Sequence, residues 1–329
     1  MNNHTGVVSA AYSLPSGLIS ARDALAQEGL VYSIVLDQRL GIDSVPACGD
    51  ETASSLALAA CQEALRRAGI DAALVDVIVD FSILPQDYLV PAWNMSNKLQ
   101  HELGARKAFT VGFSGGGGSN FLVAMAAATT LIETDDKLKT ALLVAGDVAI
   151  PGNRILNPAD PVSILGDCAS AMVLQKGAGH TVLDFALWTD GANHDVYYVP
   201  GGALANHNPG AYRIQLDKPR FDASRQAGTL GKLVAAMLEA AGLSITQIAS
   251  VLLPNVSQED QSDLQRELGL KAEQVDPAVR KSYGYLQGND FVLNYLAALE
   301  PAPPVAGSYV LAASHGMGFM PAAVLLRLT

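Results

Sequence analysis

Between Ala108 and Leu131 the chain reads AFTVGFSGGGGSNFLVAMAAATTL, and no other stretch narrows the possible folds as much. A short apolar run gives way to Gly112-Phe113-Ser114-Gly115-Gly116-Gly117-Gly118, and from Asn120 onward the sequence is apolar almost throughout. A helix with no polar face has to be buried, so other elements must surround this one. Successive glycines ahead of it allow backbone conformations that side chains forbid, and they leave amides unshielded at a helix start. The spacing Gly112-x-Ser114-x-Gly116 fits a nucleophile elbow, in which a strand, a tight turn and a helix present Ser114 at the apex. An ordinary serine in a flexible glycine turn fits the same pattern.

Composition agrees with a large core. Half of the 329 residues are hydrophobic and 16% are charged, which excludes disorder, and a chain this long buries roughly 75% of its unfolded surface. No stretch of 18 or more uninterrupted apolar residues occurs, so no membrane span is expected. The net charge of −11 argues against nucleic acid or an anionic membrane as partner. Cys48, Cys61 and Cys168 show neither a CxxC nor metal-ligand spacing, and the start MNNHTGVVSAAYSLP lacks a basic segment followed by an apolar one. A reduced, cytoplasmic protein is the expectation. There is no HExxH-type cluster, and the glycine run lacks the Lys-Ser/Thr ending of a P-loop, so no cofactor or metal is expected.

The second half of the chain echoes the first. LALAACQEALRRAG, a helix ending on Gly69, precedes the strand VDVIVDFS; LGKLVAAMLEAAG, ending on Gly242, precedes IASVLLP. Gly118-Ser-Asn-Phe-Leu-Val is matched by Gly288-Asn-Asp-Phe-Val-Leu. The pair TALLVAGDV and CASAMVL is matched by SYVLAASHGMGF and AAVLLRL. One strand–helix plan used twice in one order implies two fused α/β halves, each with a buried central helix.

In this order the stretches resemble the β-ketoacyl-(acyl carrier protein) synthase III branch of the thiolase superfamily. The resemblance is carried by GDETASSLALAACQEALRRAGIDAALVDVIVDFS, NKLQHELGARKAFTV, ALLVAGDV, ILGDCASAMVL, the pair Gly288-Asn289 and ASHGMGFMPAAVLLRL, and it covers essentially the whole chain. It implies an α/β thiolase fold, five-layered αβαβα, built from two pseudo-symmetric halves. Residues 1–175 would carry the nucleophile turn, and residues 176–329 the cap loop and the second oxyanion elements. It also implies a homodimer acting on acyl thioesters of CoA or an acyl carrier protein.

The resembled family takes its acyl group on a Cys at the start of the first buried helix. A His and an Asn then stabilise the enolate left when a malonyl thioester loses CO2. Here the Cys position falls within Ser114 to Ser119, where there is no cysteine. Ser114 is favoured by its glycine context and Ser119 by its register with Asn289, although a helix N-cap would equally account for Ser119. The His position is Asn255, and the family's Asn is Asn289. Two amides can donate to an oxyanion but take no proton near neutral pH, so decarboxylative condensation is disfavoured. The resemblance places Gly316 in the oxyanion loop, and the glycine run adds Gly115 and Gly116 as candidate oxyanion amides.

A serine needs a neighbouring base to act as a nucleophile. His315, in SHGMGF beside Gly316, is one candidate, and His194, in TDGANHD, is the other. His207 falls in the same pocket-capping region, while His4, His101 and His180 read as solvated. The donor is open: Leu30–Gly41 has no Trp, Pro161 stands where an adenine-stacking Arg is usual, and the helix after Asn255 reads SQEDQSD, which repels an acidic carrier. Arg213, Lys218, Arg220 and Arg225 form a basic cluster, either a docking patch or a solvated face. Leu84 to Met95, with Tyr88 and Trp93, suits the acyl tunnel, a dimer contact or plain packing.

The function expected is a ketosynthase III-like acyltransferase. It would move an acyl group from a thioester through a serine to a hydroxyl, amine or thiol in secondary metabolism. The alternative is a catalytically silent accessory subunit, pairing as a heterodimer with an intact ketosynthase. An α/β-hydrolase, with Asp290 as its acid, is disfavoured by the two-half repeat.

Overall fold

The structure is a computed structural model, and it describes residues 4–84, 86–88, 93–150, 152–201, 208, 213–300, 305–317 and 319–329. Nine apolar runs form one mixed sheet. They are β1 (Thr5–Ser13), β2 (Val77–Asp80), β3 (Phe109–Gly112), β4 (Thr140–Asp147), β5 (Cys168–Lys176), β6 (His180–Leu187), β7 (Ile248–Leu252), β8 (Tyr309–Ser314) and β9 (Ala322–Arg327). Across the sheet the order is β7-β8-β9-β6-β1-β5-β4-β2-β3. Strands such as β4, buried along its whole length, read as continuous apolar runs because neither face meets water.

The sequence echo becomes a symmetry of strands. β1 and β6 lie side by side at the middle, antiparallel. Outward from β1 come β5, β4 and β2; outward from β6 come β9, β8 and β7. On both sides the first two pairings are antiparallel and the third is parallel. β3 extends the first half as an edge strand, parallel to β2.

The helices that matter here are α1 (Ala53–Ala68), α2 (Asn120–Thr134), α3 (Lys218–Gln226), α4 (Thr229–Ala240), α5 (Gln258–Leu268) and α6 (Asn289–Leu299). A capping box between Thr52 and Ser55 starts α1, and Gly69 in the left-handed conformation ends it, as the sequence indicated. Burial pushes the Cys61 thiol well up, which leaves it inert. The two central helices meet through aromatic rings. Phe121 of α2 and Phe291 of α6 stack with centroids 5.5 Å apart, and Phe81 lies edge-on to Phe121 at 5.3 Å. Burying a side chain of this size stabilises by roughly 1.5–3 kcal/mol, so these rings pin the halves to each other.

Three expectations change. β3 ends at Gly112, but helical backbone resumes only with the turn Gly117–Ser119 that leads into α2. Ser114 therefore lies exposed in the loop, set apart from the helix rather than at the apex of a tight strand–turn–helix. The basic cluster is neutralised pair by pair: Arg213 with Glu28, Lys218 with Asp222 at 2.6 Å, Arg220 with Asp195 at 2.7 Å, Arg225 with Asp260 at 2.5 Å. A chain with excess carboxylate leaves these cations partnered, not displayed as a patch. His180 opens β6, and its Nδ1 accepts from the Thr329 amide at 3.1 Å. Among the described residues no helix is long and apolar enough to cross a membrane, and no group of metal-ligating side chains gathers. His207 and most of the Leu84–Met95 segment's apolar middle lie outside the described residues.

Candidate active site

The glycine turn is held by its own side chains. Gly115 and Gly117 take left-handed φ values of 91° and 53°, which only glycine adopts freely. Asn120, the first residue of α2, accepts from the Gly116 amide at 2.8 Å and donates to the Phe113 carbonyl at 3.2 Å. The C-terminal loop after β8 closes on the turn. A side chain at Gly117 would put its Cβ 2.5 Å from the Met317 nitrogen, and one at Gly316 would stand 2.9 Å from Ser119 Oγ.

Ser119 is thus the serine that meets the loop of Gly316. It is fully buried and makes no side-chain cap to α2; its hydroxyl instead donates to the Met320 carbonyl at 2.7 Å. Among the described residues neither Ser119 nor Ser114 has an imidazole within hydrogen-bonding distance.

The two asparagines from the second half are buried and engaged. Asn255 donates through its backbone to Asp290 Oδ2 at 2.7 Å, and through its side chain to Asp290 Oδ1 and Asn294 Oδ1, both at 3.1 Å. Asn289 donates to Asp147 Oδ2 at 2.9 Å and to the Leu286 carbonyl at 3.2 Å, and accepts from Ser170 Oγ at 2.6 Å. Burial raises Asp147 to about 7, against the Leu84 and Ile83 amides that favour its charged form, and raises Asp290 to about 8 against those of Asn255 and Leu286. Two candidate oxyanion amides are engaged too: Gly116 with Asn120, and Gly316 with Ser314 Oγ at 2.9 Å.

His315 follows β8 and points to α5. Its Nε2 lies 2.6 Å from Glu267 Oε2, and its ring stacks on Phe319 at 5.5 Å. His194 is exposed after a turn at Gly191–Asn193. Beside the glycine turn is a cavity of about 200 Å³, mainly apolar, whose walls include Ile83, Leu84, Gly115, Gly117, Leu165 and Tyr197. Leu84 opens the segment singled out from the sequence; Tyr88 and Trp93 of that segment instead meet each other edge-on at 5.3 Å. The residues that sequence reasoning missed are Asp147, Ser170, Glu267, Asn294 and Met320. Each lies far along the chain from its partner, and only Asp147, a carboxylate ending an apolar strand, carried a visible signal.

A symmetric nine-stranded sheet with paired central helices and a buried residue set at their N-termini defines a two-half α/β architecture, and known proteins share it. The family profile for 3-oxoacyl-[acyl-carrier-protein] synthase III matches residues 116–191. The β-ketoacyl-[acyl-carrier-protein] synthase III of Erythrobacter litoralis is 30% identical over 299 residues, covering 88% of this chain and 89% of its own. That of Rhodospirillum rubrum is 31% identical over 295 residues, covering 86% of each chain. Among solved structures, a 3-oxoacyl-(acyl carrier protein) synthase III from Pseudomonas aeruginosa superposes with a TM-score of 0.83 at 22% identity, over 99% of this chain and 98% of that one. The priming β-ketosynthase of the R1128 polyketide pathway gives 0.85 at 21%, over 99% and 97%. The chain belongs to the β-ketoacyl-(acyl carrier protein) synthase III family and has the thiolase fold.

Proposed function

We propose that the chain is a non-condensing member of this family. It would take an acyl group from a thioester of CoA or a carrier protein, pass it through Ser119, and deliver it to a hydroxyl, amine or thiol in secondary metabolism. The observation that carries this reading is at Asn255. The family's proton-accepting position holds an amide whose hydrogens are committed to Asp290 and Asn294, and an amide takes no proton. Asn289 is likewise committed to Asp147, so the enolate of a decarboxylated malonyl group would find neither donor free.

Acyl transfer needs no enolate stabilisation, although among the described residues no imidazole reaches Ser119 to serve as its base. The apolar cavity beside Gly117 suits a short acyl chain, and the N-terminus of α2 favours developing negative charge. Ser119 is preferred to Ser114 because it lies against the Gly316 loop. The protein is proposed to be cytoplasmic and homodimeric, and the free edge of β3, with Phe109 exposed, supports the second point because an unpaired edge invites pairing. The test is intact-mass measurement after incubation with acyl-CoAs of two to six carbons. The native protein and Ser114→Ala should gain one acyl increment and Ser119→Ala none; no increment with any donor would remove the reading.

A second reading, the silent accessory subunit, is favoured by one specific feature. Ser119 is buried and its proton is given to a carbonyl, as in a packed core. Co-expression with a condensing synthase separates the two, since an accessory chain would co-purify with it and carry no acyl group.

A further inference from the structure

Aliphatic side chains dominate the cavity beside the glycine turn, among them Ile83, Ile150, Leu165 and Ile214, and Tyr197 stands in the same wall. The phenol oxygen of Tyr197 accepts from Gln287 Nε2 at 3.3 Å. A phenol also has a hydrogen to give, and among the described residues that hydrogen has no acceptor. Burial pushes the phenol up to about 12, so it stays protonated and able to donate near neutral pH.

Gln287 is unsatisfied in turn. It is 1% exposed, and its Oε1 has no partner. Its φ of 59° is left-handed, a conformation that costs a residue with a side chain energy and that clusters at functional sites. Gly288 and Asn289 follow it into α6, and its carbonyl lies 3.9 Å from where a side chain on Gly118 would begin. The Tyr197–Gln287 pair thus joins the apolar cavity to the N-termini of both central helices.

The two unmet groups call for one chemical group. Tyr197 offers a hydrogen and Gln287 Oε1 offers lone pairs. That oxygen shares its carbon with the nitrogen bonded to the phenol, so a single ligand oxygen can lie near both. A hydroxyl accepts from Tyr197 and donates to Gln287; a ketone answers Tyr197 alone, and a methylene answers neither. Sites built to bond a hydroxyl discriminate against analogues that lack it, because the site's own polar groups are then left unpaired. An apolar void of about 150 Å³ holds benzene, so the cavity's 200 Å³ or so admits a chain of about four to six carbons.

We propose that the cavity binds a short aliphatic acyl group bearing a hydroxyl, with Tyr197 and Gln287 as the residues that select it. That the ligand is an acyl group rests on the function proposed above; the preference for a hydroxylated chain does not. The test is binding of neutral esters, which requires no turnover. Methyl butanoate is compared with both enantiomers of methyl 2-hydroxybutanoate and methyl 3-hydroxybutanoate, titrated into the full chain carrying labelled isoleucine methyls. Bound ester should move the methyls of Ile83, Ile150 and Ile214, and a hydroxylated ester should bind roughly 2- to 10-fold tighter than methyl butanoate. Tyr197→Phe keeps the ring and should erase that preference while leaving methyl butanoate as well bound as before. Gln287→Asn suits the left-handed backbone but draws the amide away from Tyr197, so the preference should fall there too. A merely structural role for the pair would instead weaken all the esters alike. Equal affinities in the native protein, a preference that survives Tyr197→Phe, uniform weakening in both variants, or isoleucine methyls that respond to no ester would each overturn the proposal. Selective binding in a protein that gains no acyl increment would sink the serine step alone, and an acylated protein without the preference would sink this proposal alone.

Discussion

Asn255 stands at the resembled family's His position, whereas Asn289 keeps the family's Asn, and both are engaged electrostatically. Each amide is bound to a buried carboxylate, Asn255 to Asp290 and Asn289 to Asp147. Those carboxyls make a pH signature. Their folded values of about 8 and 7 exceed the roughly 3.9 of an unfolded Asp. Between these limits the folded chain binds more protons than the unfolded chain, so this contribution is complete below pH about 4 and lost as pH rises through about 7 and 8. Thermal unfolding should therefore show a midpoint that drops from pH 6 to pH 9, with a shallower drop in Asp290→Asn; a midpoint that rises over that range in the native protein contradicts the assignment. The identities of Asn255, Asn289 and Gly316 were legible in the sequence, because each lies in a stretch whose order resembles a known family. Their partners were not. Asp147, Glu267 and Ser170 reach the site from 142, 48 and 119 positions away, and nothing in local spacing reports such a distance. For the same reason His315 was legible as a candidate base but not as one half of a pair with Glu267.

The helices tell a related story. That α2 and α6 are buried followed from their missing polar faces, and that they are counterparts followed from the echo of Gly118-Ser119-Asn120-Phe121 in Gly288-Asn289-Asp290-Phe291. The stacked rings of Phe121 and Phe291 show what the repeated Phe is for. Phe291→Ala should cost about 3–5 kcal/mol, measured by urea unfolding, and a loss below 1 kcal/mol would show that the rings do not hold the two helices together. The turn ahead of α2 was harder to read. A glycine run says that the backbone is free of side chains, but not where the helix begins, and α2 starts six residues after Ser114. Gly117→Ala combines a left-handed φ with a Cβ 2.5 Å from the Met317 nitrogen. It should destabilise the fold by about 1 kcal/mol or more and disturb the Ser119–Met320 contact; native stability and native acylation together would show that the loop does not seal the turn.

For the molecule as a whole, the described residues form two unlike cavities, one apolar beside the glycine turn and one polar between α3 and α5. The sequence conveyed the doubling well, since strands on each side of the β1–β6 pair follow one order. It conveyed the surface poorly, because the apparent basic cluster is dissolved by ion pairs to residues as distant as Glu28 and Asp260. A cleft walled by five carboxylates and three cations attracts neither an acidic carrier protein nor the phosphates of CoA. The most direct measurement is a single turnover in which the protein is loaded with butyryl-CoA, offered a malonyl thioester, and digested for peptide mass mapping. The expected result is a butyryl group on the peptide containing Ser119 and no 3-oxohexanoyl product. A carbon chain lengthened by two, or a malonyl thioester that loses CO2 on the protein, would contradict a non-condensing acyltransferase.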